Sequence, residues 1–283
     1  MYENFMLSER KKGIAGYRFS CENPSYVMCV IHGVGEHAGR YGRMAEALSQ
    51  RGIALVSMDL RGHGISTGVR GDTAPRREVL SDVDDLIAKA QEFYPGLPLT
   101  LYGHSMGGNI GLDYMARGNH NDVPVRYIIS APWIKLVMSV PKPVLPLARG
   151  AAKILPKMTI NQNIDEGALG NPDYVKPYKK DPLVHSRISL RCAVDGFDIG
   201  NAIYDGKNEN NGKAEDKPFL LMHGDADRIC DVEGSRKLAQ RLSKRENFTY
   251  IEWPGYCHEI HNGGPDCTGD KVIQAIGDFI ISE

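Results

Sequence analysis

The pentapeptide Gly-x-Ser-x-Gly occurs twice in this chain, as Gly64-Ile65-Ser66-Thr67-Gly68 and as Gly103-His104-Ser105-Met106-Gly107. Such a segment can present a serine hydroxyl for attack on a carbonyl when it forms a tight turn from a strand straight into a helix. Small residues must then flank the serine, because neighbouring backbone comes too close for side chains. With 31 glycines in the chain a bare match is weak, so the flanks decide. Leu99-Thr100-Leu101-Tyr102 reads as a strand before Ser105, and Gly108 to Arg117, with Ile110, Leu112 and Met115, reads as a helix after it. Ser66 has neither flank. It follows the turn-rich Asp59-Leu60-Arg61-Gly62-His63-Gly64 and runs into Val69-Arg70-Gly71-Asp72, so that stretch is expected to be a surface loop.

A serine hydroxyl needs a base to take its proton and an acid to orient that base. In a parallel sheet with an elbow of this kind the partners lie on loops after later strands, in the order Ser, Asp or Glu, His. Phe219-Leu220-Leu221-Met222-His223 runs into Gly224-Asp225-Ala226-Asp227, and Tyr250-Ile251-Glu252-Trp253 runs into Pro254-Gly255-Tyr256-Cys257-His258. Each loop offers two candidates, Asp225 or Asp227 and His258 or His261, and spacing leaves both choices open. An Asp can equally close a turn on nearby backbone N–H groups.

The oxyanion formed on attack needs preorganised N–H donors, one from the residue after the nucleophile, here Met106. The second is expected from the loop after the first central strand, His32-Gly33-Val34-Gly35-Glu36-His37, through the backbone of Val34. Gly33-x-Gly35 also resembles the start of a dinucleotide fingerprint, but the next glycine, Gly39, falls one position late. His32, Glu36 and His37 match no metal-ligand spacing with a known geometry. The chemistry therefore requires neither cofactor nor metal.

Apolar runs at Tyr26 to Ile31, Ile53 to Met58, Leu97 to Tyr102, Val125 to Ser130, Phe219 to His223 and Phe248 to Trp253 alternate with helical patterns, which predicts a mostly parallel sheet with helices on both faces. Val79, Val83, Leu86, Ile87, Ala90 and Phe93 mark a crossover helix that Tyr94-Pro95-Gly96 ends. Further helices are expected near Ser235 to Leu242 and around Val272, Ile276, Phe279 and Ile280. The alternation lapses between Ser130 and Phe219, too long an interval for an idle loop. The expected organisation is a core of residues 1–132 and 217–283 interrupted by a cap over 133–216. Within it, Lys135 to Pro156 carries Lys135, Lys142, Arg149 and Lys153 without an acid, and Leu147, Ala151 and Leu155 suit a short helix with an apolar face. Such a helix can pack on the core or touch a membrane or micelle surface.

Composition narrows the class. Lys plus Arg is 34 against 35 for Asp plus Glu, so no basic field favours nucleic acid. No apolar run approaches the roughly 20 residues of a spanning helix, and the first residues lack a secretory signal, which points to a cytoplasmic protein. Six cysteines, at 21, 29, 192, 230, 257 and 267, form no Cys-x-x-Cys pair and read as core fillers.

As a set, several segments resemble the monoacylglycerol lipase and lysophospholipase group of α/β-hydrolases, related to the S33 serine aminopeptidases. They are His32-Gly33-Val34-Gly35-Glu36-His37-Ala38-Gly39-Arg40-Tyr41, Gly62-His63-Gly64-x-Ser66, Tyr94-Pro95-Gly96-Leu97-Pro98, Gly103-His104-Ser105-Met106-Gly107-Gly108, Asp181-Pro182-Leu183, Ala226-Asp227-Arg228-Ile229-Cys230-Asp231, and His258 with His261. The resemblance implies an α/β-hydrolase fold with a cap. It also implies a Ser105, Asp227, His258 triad, with Val34 and Met106 as oxyanion donors and ester hydrolysis of a small lipid such as a monoacylglycerol. By the same resemblance Glu36, Arg40, Tyr178 and His261 line a glycerol pocket and Cys230 sits at its edge. Glu36 and Arg40 can alternatively form a loop-fixing ion pair, and Cys230 a buried hydrophobe. Rival functions on the same fold are a lysophospholipase, a short-chain carboxylesterase, an aminopeptidase with Glu36 as amine anchor, and a non-catalytic ligand-binding protein.

Overall fold

Continuous apolar runs make strands buried on both faces, and that is how the centre of the sheet is built. The computed structural model describes residues 1–8, 13–138, 140–141, 143–162, 164–175 and 180–282; Lys142 and Tyr178 lie outside them. The strands are β1 (Tyr2–Met6), β2 (Ala15–Phe19), β3 (Tyr26–Ile31), β4 (Ile53–Met58), β5 (Leu99–His104), β6 (Arg126–Ser130), β7 (Thr159–Asn161), β8 (Arg187–Ser189), β9 (Phe219–Gly224) and β10 (Phe248–Trp253). Eight of them form one sheet in the order β1-β2-β4-β3-β5-β6-β9-β10, and β7 pairs with β8 in a separate antiparallel ribbon. From β4 to β10 every neighbour is parallel.

The helices are α1 (Gly42–Ser49), α2 (Arg76–Phe93), α3 (Met106–Arg117), α4 (Val144–Ile154), α5 (Leu190–Asp205), α6 (Val232–Leu242) and α7 (Asp270–Ile281). Side chains alternate across β3 and divide the core in two. Met28 and Val30 join Leu48 of α1 and Val272, Ile276 and Ile280 of α7 on one face. Val27, Cys29 and Ile31 join Val83 and Leu86 of α2, Ile110 of α3 and Leu238 of α6 on the other. Helices thus cover both faces, as the alternation of patterns requires.

Two differences from expectation concern the strands. The antiparallel strands β1 and β2 extend it past β4, through Gly16↔Met58 and Tyr2↔Phe19 pairings. Nothing in their short, charge-bearing sequences marked them, because β1 is an exposed edge whose pairing is set by β2. Strand β5 begins two residues later than expected, after Pro98, which has no N–H to give a ladder.

Between β6 and β9 the chain divides its allegiance. Helix α5 packs directly on the main domain: Asn109 of α3 donates to Gly196 O at 3.2 Å, and Cys192 and Ile203 belong to the same apolar cluster as β3. Helix α4 spans the segment expected around Leu147 to Leu155, yet none of its residues is buried. Leu147 is 71% and Ile154 80% exposed. Its Arg149 is held by Asp198 of α5 at 2.6 Å, so that cation is partnered. Among the described residues no helix is long and apolar enough to cross a membrane.

Candidate active site

Strand β5 delivers the chain into α3 through Ser105, whose backbone sits at φ 57° and ψ −117°. A non-glycine residue in that region is strained, and strain of this kind persists only where surrounding structure holds it. The Ser105 N–H donates to Ser130 O at 3.0 Å, and its carbonyl accepts from Asn109 and Trp133 N–H at 3.0 Å each. The flanking glycines are sterically required: a Cβ on Gly107 would come within 2.1 Å of Ile31 O, and one on Gly103 within 2.3 Å of Gly107 O.

Three side chains then form a row. His258, on the loop after β10, places Nε2 at 2.8 Å from Ser105 Oγ and Nδ1 at 2.7 Å from Asp227 Oδ2. Asp227, on the loop after β9, accepts through Oδ1 from the N–H groups of Ile229 and Cys230, at 2.7 and 3.0 Å. Its Oδ2 also lies 3.1 Å from His223 Nε2, a ring fixed in turn by Ser235 Oγ at 2.7 Å. Burial alone would raise the Asp227 pKa, but His258 and His223 outweigh it and hold the carboxyl well below the usual carboxylate range. Burial opposes charge on His258 as well; Asp227, together with Glu259 and Glu36, more than reverses that and raises the imidazole above its ordinary value.

The alternatives left open by spacing are placed elsewhere. Asp225 Oδ1 accepts the Gly255 N–H at 2.7 Å and so ties the loop after β9 to the loop after β10. His261 is buried, its ring stacked on Tyr41 at 5.3 Å and edge-on to His104 at 5.3 Å. Burial, then Arg40 and Arg43, push its pKa down to about 3, so it is a neutral ring, and it is not among the described residues that line the cavity.

The second Gly-x-Ser-x-Gly lies in a surface loop, as expected, with Ile65 and residues 67–70 exposed, but Ser66 itself turns inward and is buried. Its hydroxyl donates to Asp59 O at 2.7 Å and accepts the Ala15 N–H at 2.9 Å. The segment wraps around Asp59, whose carboxylate takes the N–H groups of Ala38 and Ile65 at 2.8 Å each and the Tyr17 hydroxyl at 2.9 Å. Gly64, at φ 49°, lies against that carboxylate where a Cβ would not fit. Nothing local marked Ser66 as inward-facing, because one of its two partners, Ala15, is distant in sequence.

The loop after β3 lies against the nucleophile: a Cβ on Gly33 would stand 3.1 Å from Ser105 Cβ and 2.9 Å from Glu36 Oε1. His32 Nε2 accepts the Leu60 N–H at 2.9 Å, so Nδ1 carries the proton and donates to Gly33 O at 2.7 Å. Because a trans peptide is planar, this turns the Val34 N–H in the opposite direction to that carbonyl. Val34 lines the cavity. Met106 is the first residue of α3, where helix N–H groups have no partner within the helix.

Glu36 does fix this loop, accepting Gly33 N–H at 2.6 Å and Tyr41 hydroxyl at 3.1 Å through Oε1, with Arg40 Nη1 3.5 Å from Oε2. It also borders the cavity, as does Arg40. The residue that sequence reasoning missed is Glu259. Arg40 Nη2 sits 2.9 and 3.0 Å from its two oxygens, and Asn262 donates to it at 2.8 Å. Glu259 is 3% and Glu36 4% exposed. Burial raises the Glu36 pKa, with Glu259 adding to the effect against Arg40; for Glu259 burial is outweighed by Arg40, His104 and Asn262, which lower it. Adjacency to His258 was its only signal in the sequence. Cys230 lines the cavity too, but burial first and Asp227 second push its thiol well above the ordinary value, leaving a protonated group.

Over this row opens a cavity of about 720 Å³, walled mainly by apolar side chains such as Leu136, Leu145, Phe197 and Ile229, with Glu36, Arg40, His104 and Glu259 supplying polar groups. That volume suits a small organic ligand. Among the described residues no group of three or more His, Cys, Asp or Glu is placed to hold a metal ion; His37 turns to Asp181 at 3.1 Å instead of joining His32.

A family model described as serine aminopeptidase, S33, matches residues 22–264. An abhydrolase domain-containing protein of Dictyostelium discoideum is 32% identical over 84% of this chain, which spans only 25% of that longer relative. The monoacylglycerol lipase of Mycolicibacterium smegmatis is 31% identical, over 85% of this chain and 83% of its own. Among solved structures, the Paleococcus ferrophilus monoacylglycerol lipase superposes with a TM-score of 0.80 at 31% identity, covering 94% of this chain and 98% of the other.

Proposed function

This chain belongs to the serine aminopeptidase S33 family of α/β-hydrolases, and from that premise we propose that it is a carboxylic ester hydrolase cleaving monoacylglycerols to fatty acid and glycerol through an acyl-enzyme on Ser105. The observation that carries the reading is the unbroken row from Ser105 through His258 to Asp227, at 2.8 and 2.7 Å, beneath a mainly apolar cavity with polar groups beside the nucleophile. Relatives of the same length are named for monoacylglycerols.

In the first step the Ser105 hydroxyl proton passes to His258 Nε2 as Oγ bonds to the ester carbonyl carbon. The Val34 and Met106 N–H groups stabilise the resulting oxyanion, each such donor being worth about 10² to 10³ in rate. His258 returns its proton to the glycerol oxygen as the C–O bond breaks. Water then gives a proton to His258 while its oxygen attacks the acyl carbon, and collapse returns the proton to Ser105 Oγ and frees the acid. Asp227 orients the imidazole and stabilises its cation. Apolar walls hold the acyl chain; Glu36 and Arg40 face the alcohol, and the family resemblance assigns Tyr178 to the same pocket, whereas His261 packs on Tyr41 outside the cavity wall.

We further assign residues 133–216 to a cap over this cavity, with α4 making transient contact with a membrane or micelle surface through Leu147 and Ile154. Six free cysteines fit a reducing cytoplasmic setting. Turnover of monoolein, lysophosphatidylcholine and p-nitrophenyl butyrate is the test: the monoglyceride should be the best lipid substrate, and a fluorophosphonate should label Ser105. Preference for the lysophospholipid, or an adduct on another serine, would overturn the assignment.

A further inference from the structure

We infer that Glu259, acting with Glu36, makes the polar end of the cavity select esters of neutral alcohols and turn away those whose leaving group carries a phosphate. This rests on the ester-hydrolase reading above. At that end two buried carboxyls face a single guanidinium, and Arg40 is engaged by both, Nη1 with Glu36 at 3.5 Å and Nη2 with Glu259 at 2.9 Å. This end adjoins the nucleophile, since Glu36 Oε1 and Ser105 Cβ flank the same point on Gly33 at 2.9 and 3.1 Å, and the leaving alcohol is assigned to it. Glu259 directly follows the base His258.

A polyol leaving group finds acceptors in the two carboxyls, so it replaces its water at little cost. A phosphate meets instead carboxylate oxygens it can only repel, and the guanidinium that would bind it is already bracketed. One carboxylate about 5 Å from a phosphate, at the effective dielectric of a partly buried site, suffices for roughly a hundredfold discrimination. The other cation on the cavity wall among the described residues, Arg228, is 62% exposed and lies 3.2 Å from Asp165, at the solvent side, where screening weakens it.

The test compares kcat/KM for 1-butyrylglycerol and 1-butyrylglycerol-3-phosphate, both soluble monomers, so that micelle charge does not enter. Wild type should favour the neutral ester about a hundredfold. E259Q should narrow that ratio about tenfold, and R40Q should widen it, opposite movements that a merely structural role for the cluster would not produce. Comparable wild-type values for the two esters, or an unchanged ratio in folded E259Q, would overturn the inference while leaving the monoacylglycerol reading standing. Should E259Q fail to fold, the wild-type ratio and R40Q still decide. No turnover of either ester beside normal turnover of p-nitrophenyl butyrate would overturn the monoacylglycerol reading itself, and the inference with it.

Discussion

Ser66 and Ser105 sit in the same pentapeptide, and the chain puts them to opposite uses. At Ser105 a strand and a helix pin the residue at φ 57°, its backbone groups are all engaged, and its hydroxyl is aimed at an imidazole 2.8 Å away. At Ser66 there is no strand-to-helix turn, and both hydrogen-bonding functions of the hydroxyl are taken by the Asp59 carbonyl and the Ala15 N–H. One serine is held in strain with its oxygen directed at a base; the other is a bridge between β2 and the turn after β4. The difference teaches that the glycines of this pattern report close backbone approach and nothing about chemistry: Gly107 makes room for Ile31 O, while Gly64 makes room for a carboxylate.

Several substitutions would sharpen or break that contrast. Ser105→Ala should cost on the order of 10⁶ in kcat, read against p-nitrophenyl butyrate, and a loss below a hundredfold would end the claim that this serine is the nucleophile. Asp227→Asn leaves the shape but removes the charge and should cost about 10⁴, with binding of substrate little changed; a small effect would shift the acid's role to another carboxylate. The pH profile comes next. His258 must be neutral to accept the Ser105 proton, and its pKa is raised by Asp227 against the opposing effect of burial. The acid limb of kcat/KM should therefore fall about tenfold per pH unit, with its midpoint above the ordinary imidazole value of about 6.5. A midpoint below that value would contradict the charge arrangement around the ring. Smallest in activity is Ser66→Ala, which should change kcat less than twofold while lowering stability by about 1 to 3 kcal/mol, because a buried N–H and carbonyl lose their partner; thermal unfolding separates the two effects.

How much could be read in advance varied with the range of the interactions. Strands β3 and β4 lie within the bounds their apolar runs mark, since strands buried on both faces write themselves as continuous hydrophobic sequence. Helix α2 ends at Phe93, where Tyr94-Pro95-Gly96 forbids continuation. Strands β1 and β2 escaped notice, being stabilised by pairing rather than by composition. The burial of Ser66 escaped for the same kind of reason, its partners Asp59 and Ala15 belonging to different strands' ends. Glu259 was invisible as a site residue until Arg40, far away in the chain, was seen between it and Glu36.

By itself, then, the order of residues determined the alternation of strand and helix, the one serine with an elbow's flanks, and which loops could carry an acid and a base, because those features depend on local steric rules and side-chain periodicity. Folding in three dimensions decided which of two aspartates and two histidines come into line, that a second serine becomes a buried tie, and that three charged side chains gather beside the nucleophile. Such choices depend on hydrogen bonds and Coulomb forces acting over a few ångströms between residues from 31 to 219 positions apart, distances that only the packed chain defines.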